Sequence, residues 1–230
     1  MAKKKATRKE LLKKPDEFLT FSARAALFMS EHSQQVSYVG LAIAAAVLIY
    51  LGINTYMGHI DKKGLTAYNE AYYTLLKNMR PDMDQNDLKK SEELFRQVRD
   101  KYDLSKVSRL ALPELAYLKF LDKKYDEAIS LYEQFLNEES DNPSYQSLAR
   151  ISLAACYEAK GDTGKAIESL KQIIDGPDDY FKEQAMLSLA RVYRLSHQQE
   201  KSREILEEFV KTFKSSPFLP IAKAYLNEYR

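Results

Sequence analysis

Between Glu31 and Asp61 the chain carries no Asp, Glu, Lys or Arg. Within that gap, 36–53 reads VSYVGLAIAAAVLIYLGI, whose polar groups are Ser37 and two tyrosines. At about 1.5 Å rise per residue, a helix over 36–57 spans roughly 33 Å, enough to cross the hydrocarbon of a bilayer. Val36 and Ile53 bound the apolar run, and Tyr38 and Tyr56 fall near the ends of the span, where amphipathic rings favour the headgroup level. Gly40 and Ala44 form a small-xxx-small face that could pack on a partner helix. A buried core helix is a poorer reading, because core helices seldom run uncharged for so long between sharply polar flanks. A cleaved signal peptide is poorer too. The apolar run starts only after a 35-residue tail, ends in Asn54-Thr55-Tyr56-Met57 and has no adjoining Cys for lipoprotein processing. The expectation is an uncleaved signal anchor.

Charge then sorts the rest of the chain. Residues 1–35 hold eight Lys/Arg against four acids, whereas 58–230 hold 27 bases and 29 acids. The net charge of +2 therefore averages a basic tail and a mildly acidic body. Eight bases on the short flank predict a tail kept in the cytoplasm and a body translocated, although Lys62 and Lys63 lie closer to the span than Arg24 does. Pro15, Asp16 and Glu17 suit a helix start, and Phe18, Phe21, Ala25 and Phe28 recur on one helical face. Residues 15–31 are thus either an interfacial helix on the cytoplasmic surface or a continuation of the membrane helix.

Only seven Gly and seven Pro occur in 230 residues. That is too few for the tight turns of a β-sandwich or barrel, so the body reads as all-α. Self-similarity sharpens this. Leu115-Ala116, Leu153-Ala154 and Leu189-Ala190 recur at offsets of 38 and 36. Twelve residues after each alanine come Ala128, Ala166 and Ser202, then Tyr132, Leu170 and Leu206, then Phe135, Ile173 and Phe209. Ser91, Phe95 and Val98 form a looser copy upstream. Small residues let two antiparallel helices approach, and large residues a turn away fill the groove beside them. One pair leaves a face unburied, so copies must stack as a solenoid. Lys160-Gly161-Asp162, Asp141-Asn142-Pro143, Gly176-Pro177-Asp178 and Ser215-Ser216-Pro217 break the helices between.

The stretch LAACYEAKGDTGKAIESLKQII, 153–174, resembles a tetratricopeptide repeat, with Leu-Ala, Tyr157, Gly161, Ala166 and Leu170 at that family's spacing. The copies depart from the pattern: there is no Trp, Lys123 or His197 stands for the turn glycine, and Phe135 and Phe209 occupy a position usually small. The predicted layout is a basic tail over 1–35, a transmembrane signal anchor over 36–57 and a repeat body over 58–230. The repeats fall at about 65–105, 110–143, 147–178 and 183–215, with a capping helix over 218–229. This layout, with the segment Lys63-Gly64-Leu65-Thr66-Ala67-Tyr68, also resembles bacterial membrane-anchored repeat proteins of the YfgM type. That resemblance implies the bacterial inner membrane, a periplasmic repeat domain, and partnership with the Sec translocon and periplasmic chaperones.

Catalytic motifs are missing. The sequence has no P-loop, GxGxxG, GxSxG, HExxH or CxxC, and its one Cys, Cys156, reads as packing on a repeat helix. Asp82, Asp84 and Asp87 lack the glycine and final Glu of a calcium loop. The expectation is a non-enzymatic protein with no cofactor, metal or small-molecule substrate, and an acidic body argues against nucleic acid. What remains is binding of other proteins. The repeat register places Tyr117, Phe120, Leu121, Glu158, Arg191 and Arg194 on the first helices of their pairs, where the family's groove lies. That predicts an aromatic end for apolar anchors and a basic end, at Arg191 and Arg194, for acidic groups. Phe120 and Leu121 also suit inter-repeat core. An adaptor for secreted proteins is the favoured function, and a scaffold subunit of an envelope complex is the alternative.

Overall fold

The computed structural model describes residues 17–79, 84–139, 142–177 and 179–229, and among them forms ten α-helices and no strand. These are α1 (Glu17–Glu31), α2 (Ser33–Asn78), α3 (Gln85–Lys101), α4 (Ala111–Leu121), α5 (Tyr125–Glu138), α6 (Pro143–Ala159), α7 (Thr163–Ile174), α8 (Lys182–Leu195), α9 (Gln199–Thr212) and α10 (Leu219–Asn227). The basic run from Lys3 to Lys14, with Pro15, Asp16, Pro81, Asp82, Asp141 and Asp178, lies outside the described residues. The chain divides into two units at Tyr56/Met57.

In the first unit, α1 and α2 meet at His32. Backbone bonds from His32 N to Phe28 O (3.0 Å) and from Val36 N to His32 O (2.9 Å) carry the i→i−4 pattern through the junction. An 18-residue window of α2 has a mean hydropathy of 2.2 and no buried residue, so the helix is long and apolar enough to cross a membrane. Tyr38, Leu41, Ile43, Leu48 and Ile53 are all exposed, and a Cβ added at Gly40 would meet nothing within 4 Å. An exposed apolar surface of this extent is of the kind that contacts a membrane or another protein.

The second unit is built of helix pairs: α4 with α5, α6 with α7, and α8 with α9, each pair packing on the next. The small residues sit where the helices cross. Ala116, Ala128, Ala154, Ala166, Ala190 and Ser202 are all buried, as is Ser91 on α3. Phe95, Phe135 and Phe209 fill the grooves beside them and are completely enclosed, each worth about 1.5–3 kcal/mol of burial. Every pair turns the same way. Lys123 (φ 60°), Gly161 (φ 82°) and His197 (φ 60°) take left-handed backbone, and the following N–H reaches back five residues. Those bonds run from Lys124 N to Lys119 O, Asp162 N to Tyr157 O and Gln198 N to Tyr193 O at 2.8–2.9 Å, the Schellman closure of a helix C-terminus. Of the three residues, only Gly161 holds this conformation without a Cβ penalty.

Helix starts follow local chemistry. The Asn142 carboxamide accepts from Ser144 N (3.1 Å) and Tyr145 N (3.2 Å), with Pro143 in the first turn. Asp84 accepts from Asn86 N (2.8 Å) and Asp87 N (2.9 Å), so its carboxylate serves as the N-cap of α3. Neighbouring pairs are tied by polar bridges. Arg99 forks onto Glu138 at 2.8 and 2.6 Å, Tyr157 Oη donates to Glu133 at 2.7 Å, and Lys160 meets Asp126. Buried Lys119 on α4 reaches both Glu92 and Glu127 at 3.0 Å. The C-terminal part of α2 joins this stack through Ala71, Leu75 and the Tyr68 ring, whose centroid lies 5.7 Å from that of Phe95. Gly64 allows the approach: a Cβ there would stand 2.6 Å from Ser105 Oγ.

Candidate binding groove

Helices α2, α4 and α6 border a cavity of about 280 Å³ in the second unit. α2 supplies Tyr68; α4 supplies Pro113, Glu114 and Tyr117, with Leu110 just ahead of it; α6 supplies Tyr145, Leu148, Ala149 and Ser152. The floor is Tyr132 and Phe135 of α5. The helix pairing explains the arrangement. In each repeat the Leu-Ala pair is buried, and the residues immediately beside it in sequence, Glu114 and Tyr117 on α4 and Ser152 on α6, line the cavity. Tyr145 and Leu148 remain 44% and 48% exposed, which leaves an open apolar rim.

The wall carries one acid. Tyr68 Oη donates to Glu114 Oε1 at 3.1 Å, across 46 residues of sequence. Burial raises the Glu114 carboxyl above the ordinary range, outweighing the Tyr68 hydrogen bond that lowers it. The Tyr68 phenol is raised in turn by burial and then by the Glu114 charge. Tyr132 is also raised by burial, so these rings stay neutral and present aromatic faces at physiological pH. Cys156 is buried in the core and its thiol is pushed up to about 11 by that burial, which keeps it protonated and unreactive near neutrality.

The structure distributes the sequence-predicted groove residues over three environments. Tyr117 lines the cavity. Phe120 packs half-buried on the main core, its ring centroid 5.6 Å from that of Tyr125, and Leu121 is half-buried at the end of α4. Glu158 and Arg191 come together as an ion pair between α6 and α8. Arg194 bonds Glu228 at 2.8 Å and lies 4.7 Å from the Tyr225 ring centroid, so it links α8 to the capping helix. Both arginines, expected as open anchors for acidic groups, are thus already engaged by carboxylates of this chain. Of the intended membrane residues, Val36 is half-exposed and Tyr38, Gly40, Ala44, Ile53 and Tyr56 are exposed.

Sequence reasoning passed over Tyr68, Glu114, Tyr145 and Leu148 as groove residues. A signal existed for one of them: Leu110 and Leu148 each stand five residues before the Leu-Ala pair of their repeat and share the 38-residue offset. No such regularity marks Glu114, whose role depends on Tyr68 of α2, in the loose first copy that lacks a Leu-Ala pair.

An all-helical stack of pairs with a groove along its first helices is a tetratricopeptide-like solenoid. A family model described as a tetratricopeptide repeat-like domain matches residues 32–185, and the chain belongs to that family. Comparison with curated proteins returned no match. Two solved structures of TPR-like repeats from a Podosopora anserina kinesin light chain sequence, one of them a point variant of the other, resemble the chain at 19% identity. They cover 68% and 70% of this chain and 87% and 90% of theirs, with TM-scores of 0.47 and 0.48. Solenoids of this class present extended surfaces that bind other proteins.

Proposed function

We propose that the protein is a non-enzymatic, membrane-tethered adaptor that holds other polypeptides in the groove between α2, α4 and α6. The observation that carries this reading is the tyrosine-lined cavity with exposed Tyr145 and Leu148 at its mouth, an apolar rim that a bound segment can cover. The uncharged helix over 36–57 is the tether, inserted in the bacterial inner membrane with the basic tail in the cytoplasm and the repeat domain in the periplasm. In that compartment the repeat domain meets chains emerging from the Sec translocon and the chaperones that receive them. Secretion or periplasmic folding is the process it assists.

A photo-crosslinking residue placed at Leu148 in the membrane-bound chain tests this. Varied secreted chains and translocon subunits are the expected products. A single stoichiometric partner would make the protein a scaffold subunit of an envelope complex, and no product from Leu148 would remove the groove from its function. Cysteine labelling at engineered sites in the tail and the body checks the orientation: a tail labelled from outside the membrane defeats it.

A further inference from the structure

We propose that the cavity between Tyr68, Tyr117 and Tyr145 is a receptor for one basic side chain of a bound polypeptide, arginine above all, with Glu114 as its counter-charge. This rests on the reading of the groove as the protein-binding face and names what that face selects.

Size comes first. About 280 Å³ lies just under the roughly 300–1,000 Å³ of clefts that hold small molecules, and suits one long side chain instead. Charge comes next. Among the lining residues Glu114 is the single acid and there is no Lys, Arg or His. Glu92, Glu138 and Glu158 all meet Lys or Arg within this chain, whereas Glu114 meets the neutral hydroxyl of Tyr68. A carboxylate has about four lone-pair sites, and Tyr68 occupies one. Burial already holds the Glu114 carboxyl above its ordinary range, which marks a charge short of compensation.

The alternatives fare worse. An acidic ligand would be repelled by Glu114. A purely apolar side chain would strip more water from the carboxylate and return no bond for it. A cation gains from both kinds of wall, because the tyrosine faces carry negative quadrupole charge and the carboxylate accepts hydrogen bonds. Guanidinium fits better than ammonium, since it is planar, weakly hydrated, stacks on rings and donates in a fork.

The test uses the full chain in nanodiscs of zwitterionic phosphatidylcholine, so that basic probes find no anionic lipid. Fluorescein-labelled peptides Ala-Ala-Leu-X-Leu-Ala-Ala, with X arginine, lysine, citrulline or leucine, are titrated by fluorescence anisotropy. The arginine peptide is expected to bind about tenfold tighter than the isosteric but neutral citrulline peptide, with lysine between them. Glu114→Gln should bring the arginine peptide to the citrulline level and leave the citrulline peptide unchanged. Tyr117→Leu should weaken arginine more than leucine, and circular dichroism verifies that both variants fold. Citrulline or leucine binding as tightly as arginine overturns the proposal. So does an arginine preference that survives Glu114→Gln, or no binding of any peptide at about 1 mM. Each of those results leaves crosslinking from Leu148 unaffected, so failure of the pocket and failure of the groove are separately visible.

Discussion

The Ser202 hydroxyl donates to the Ala190 carbonyl at 2.8 Å, fixing the distance at which α9 crosses α8. Tyr229 Oη donates to the same Ser202 oxygen at 2.9 Å, so the end of the chain is fastened to that crossing. Ser202 is fully buried, and a larger side chain has nowhere to go. Ser202→Leu should overpack the crossing and cost about 3 kcal/mol or more. Ser202→Ala keeps the close approach but removes both hydrogen bonds, costing about 1–2 kcal/mol. Tyr229→Phe should add little on top of Ser202→Ala, because the two remove the same link. Urea denaturation followed by circular dichroism measures all three.

The inter-helix turns offer gains as well as losses. Lys123 and His197 hold the left-handed conformation that Gly161 holds between the middle pair, and a side chain in that region costs about 1–2 kcal/mol. Lys123→Gly and His197→Gly should each stabilise the fold by about 0.5–1 kcal/mol, the gain being reduced by the greater freedom of glycine in the unfolded chain. Gly161→Ala should destabilise it by about 1 kcal/mol. A denaturation midpoint that falls for either glycine substitution would mean that Lys123 or His197 makes contacts worth more than its strain.

These crossings and turns were legible in the sequence because both impose local rules. Only small residues fit at the buried positions 116, 128, 154 and 166 of the paired helices, and only certain backbones end a helix at 123, 161 and 197. What joins one pair to the next obeys no such rule. Lys160 reaches Asp126, Arg191 reaches Glu158 and Arg194 reaches Glu228, separations of 34, 33 and 34 residues. For Glu158 and Arg191 that is one helical turn less than the 36-residue offset of their repeats, since a long side chain bonds the turn beside its register partner. Arg191 and Arg194 therefore read as free when each residue was compared with its equivalents alone. Glu114 was harder still, as its partner Tyr68 stands in the loose first copy, 65–105, which has no Leu-Ala pair to fix its register.

Glu114 should cost the fold stability at neutral pH. Its carboxyl is raised in the folded state, so the folded chain binds more protons than the unfolded one just above the ordinary glutamate range of about 4.3. The stability linked to this group is complete below that value and is lost as pH rises through the folded pKa. Glu114→Gln should therefore melt at a higher temperature than the parent at pH 7. The gap should close when both are melted near pH 4.

The Arg99–Glu138 fork predicts the opposite slope. The Arg99 hydrogen bond, working against partial burial, holds the Glu138 carboxyl below its usual range. Its contribution is present above the unfolded glutamate value and disappears as pH falls through the depressed folded one. Glu138→Gln should cost roughly 1 kcal/mol at pH 7, with the loss narrowing progressively below about pH 4.

The Glu158–Arg191 pair decides whether the basic end of the groove is structure or contact surface. Glu158 is mostly shielded and Arg191 is 41% exposed along its side chain, so the pair is worth about 1 kcal/mol after solvent screening. Arg191→Glu sets two carboxylates against each other across α6 and α8 and should lower stability by about 1–2 kcal/mol. Glu158→Arg combined with Arg191→Glu restores opposite charges with the positions exchanged, and should recover at least half of that loss. Partner capture then separates the roles. If crosslinking yield from Leu148 falls in Arg191→Glu and returns in the exchanged pair, Arg191 acts by holding two repeats in register. If yield stays low in the exchanged pair although stability has returned, the positive charge at 191 itself touches the partner.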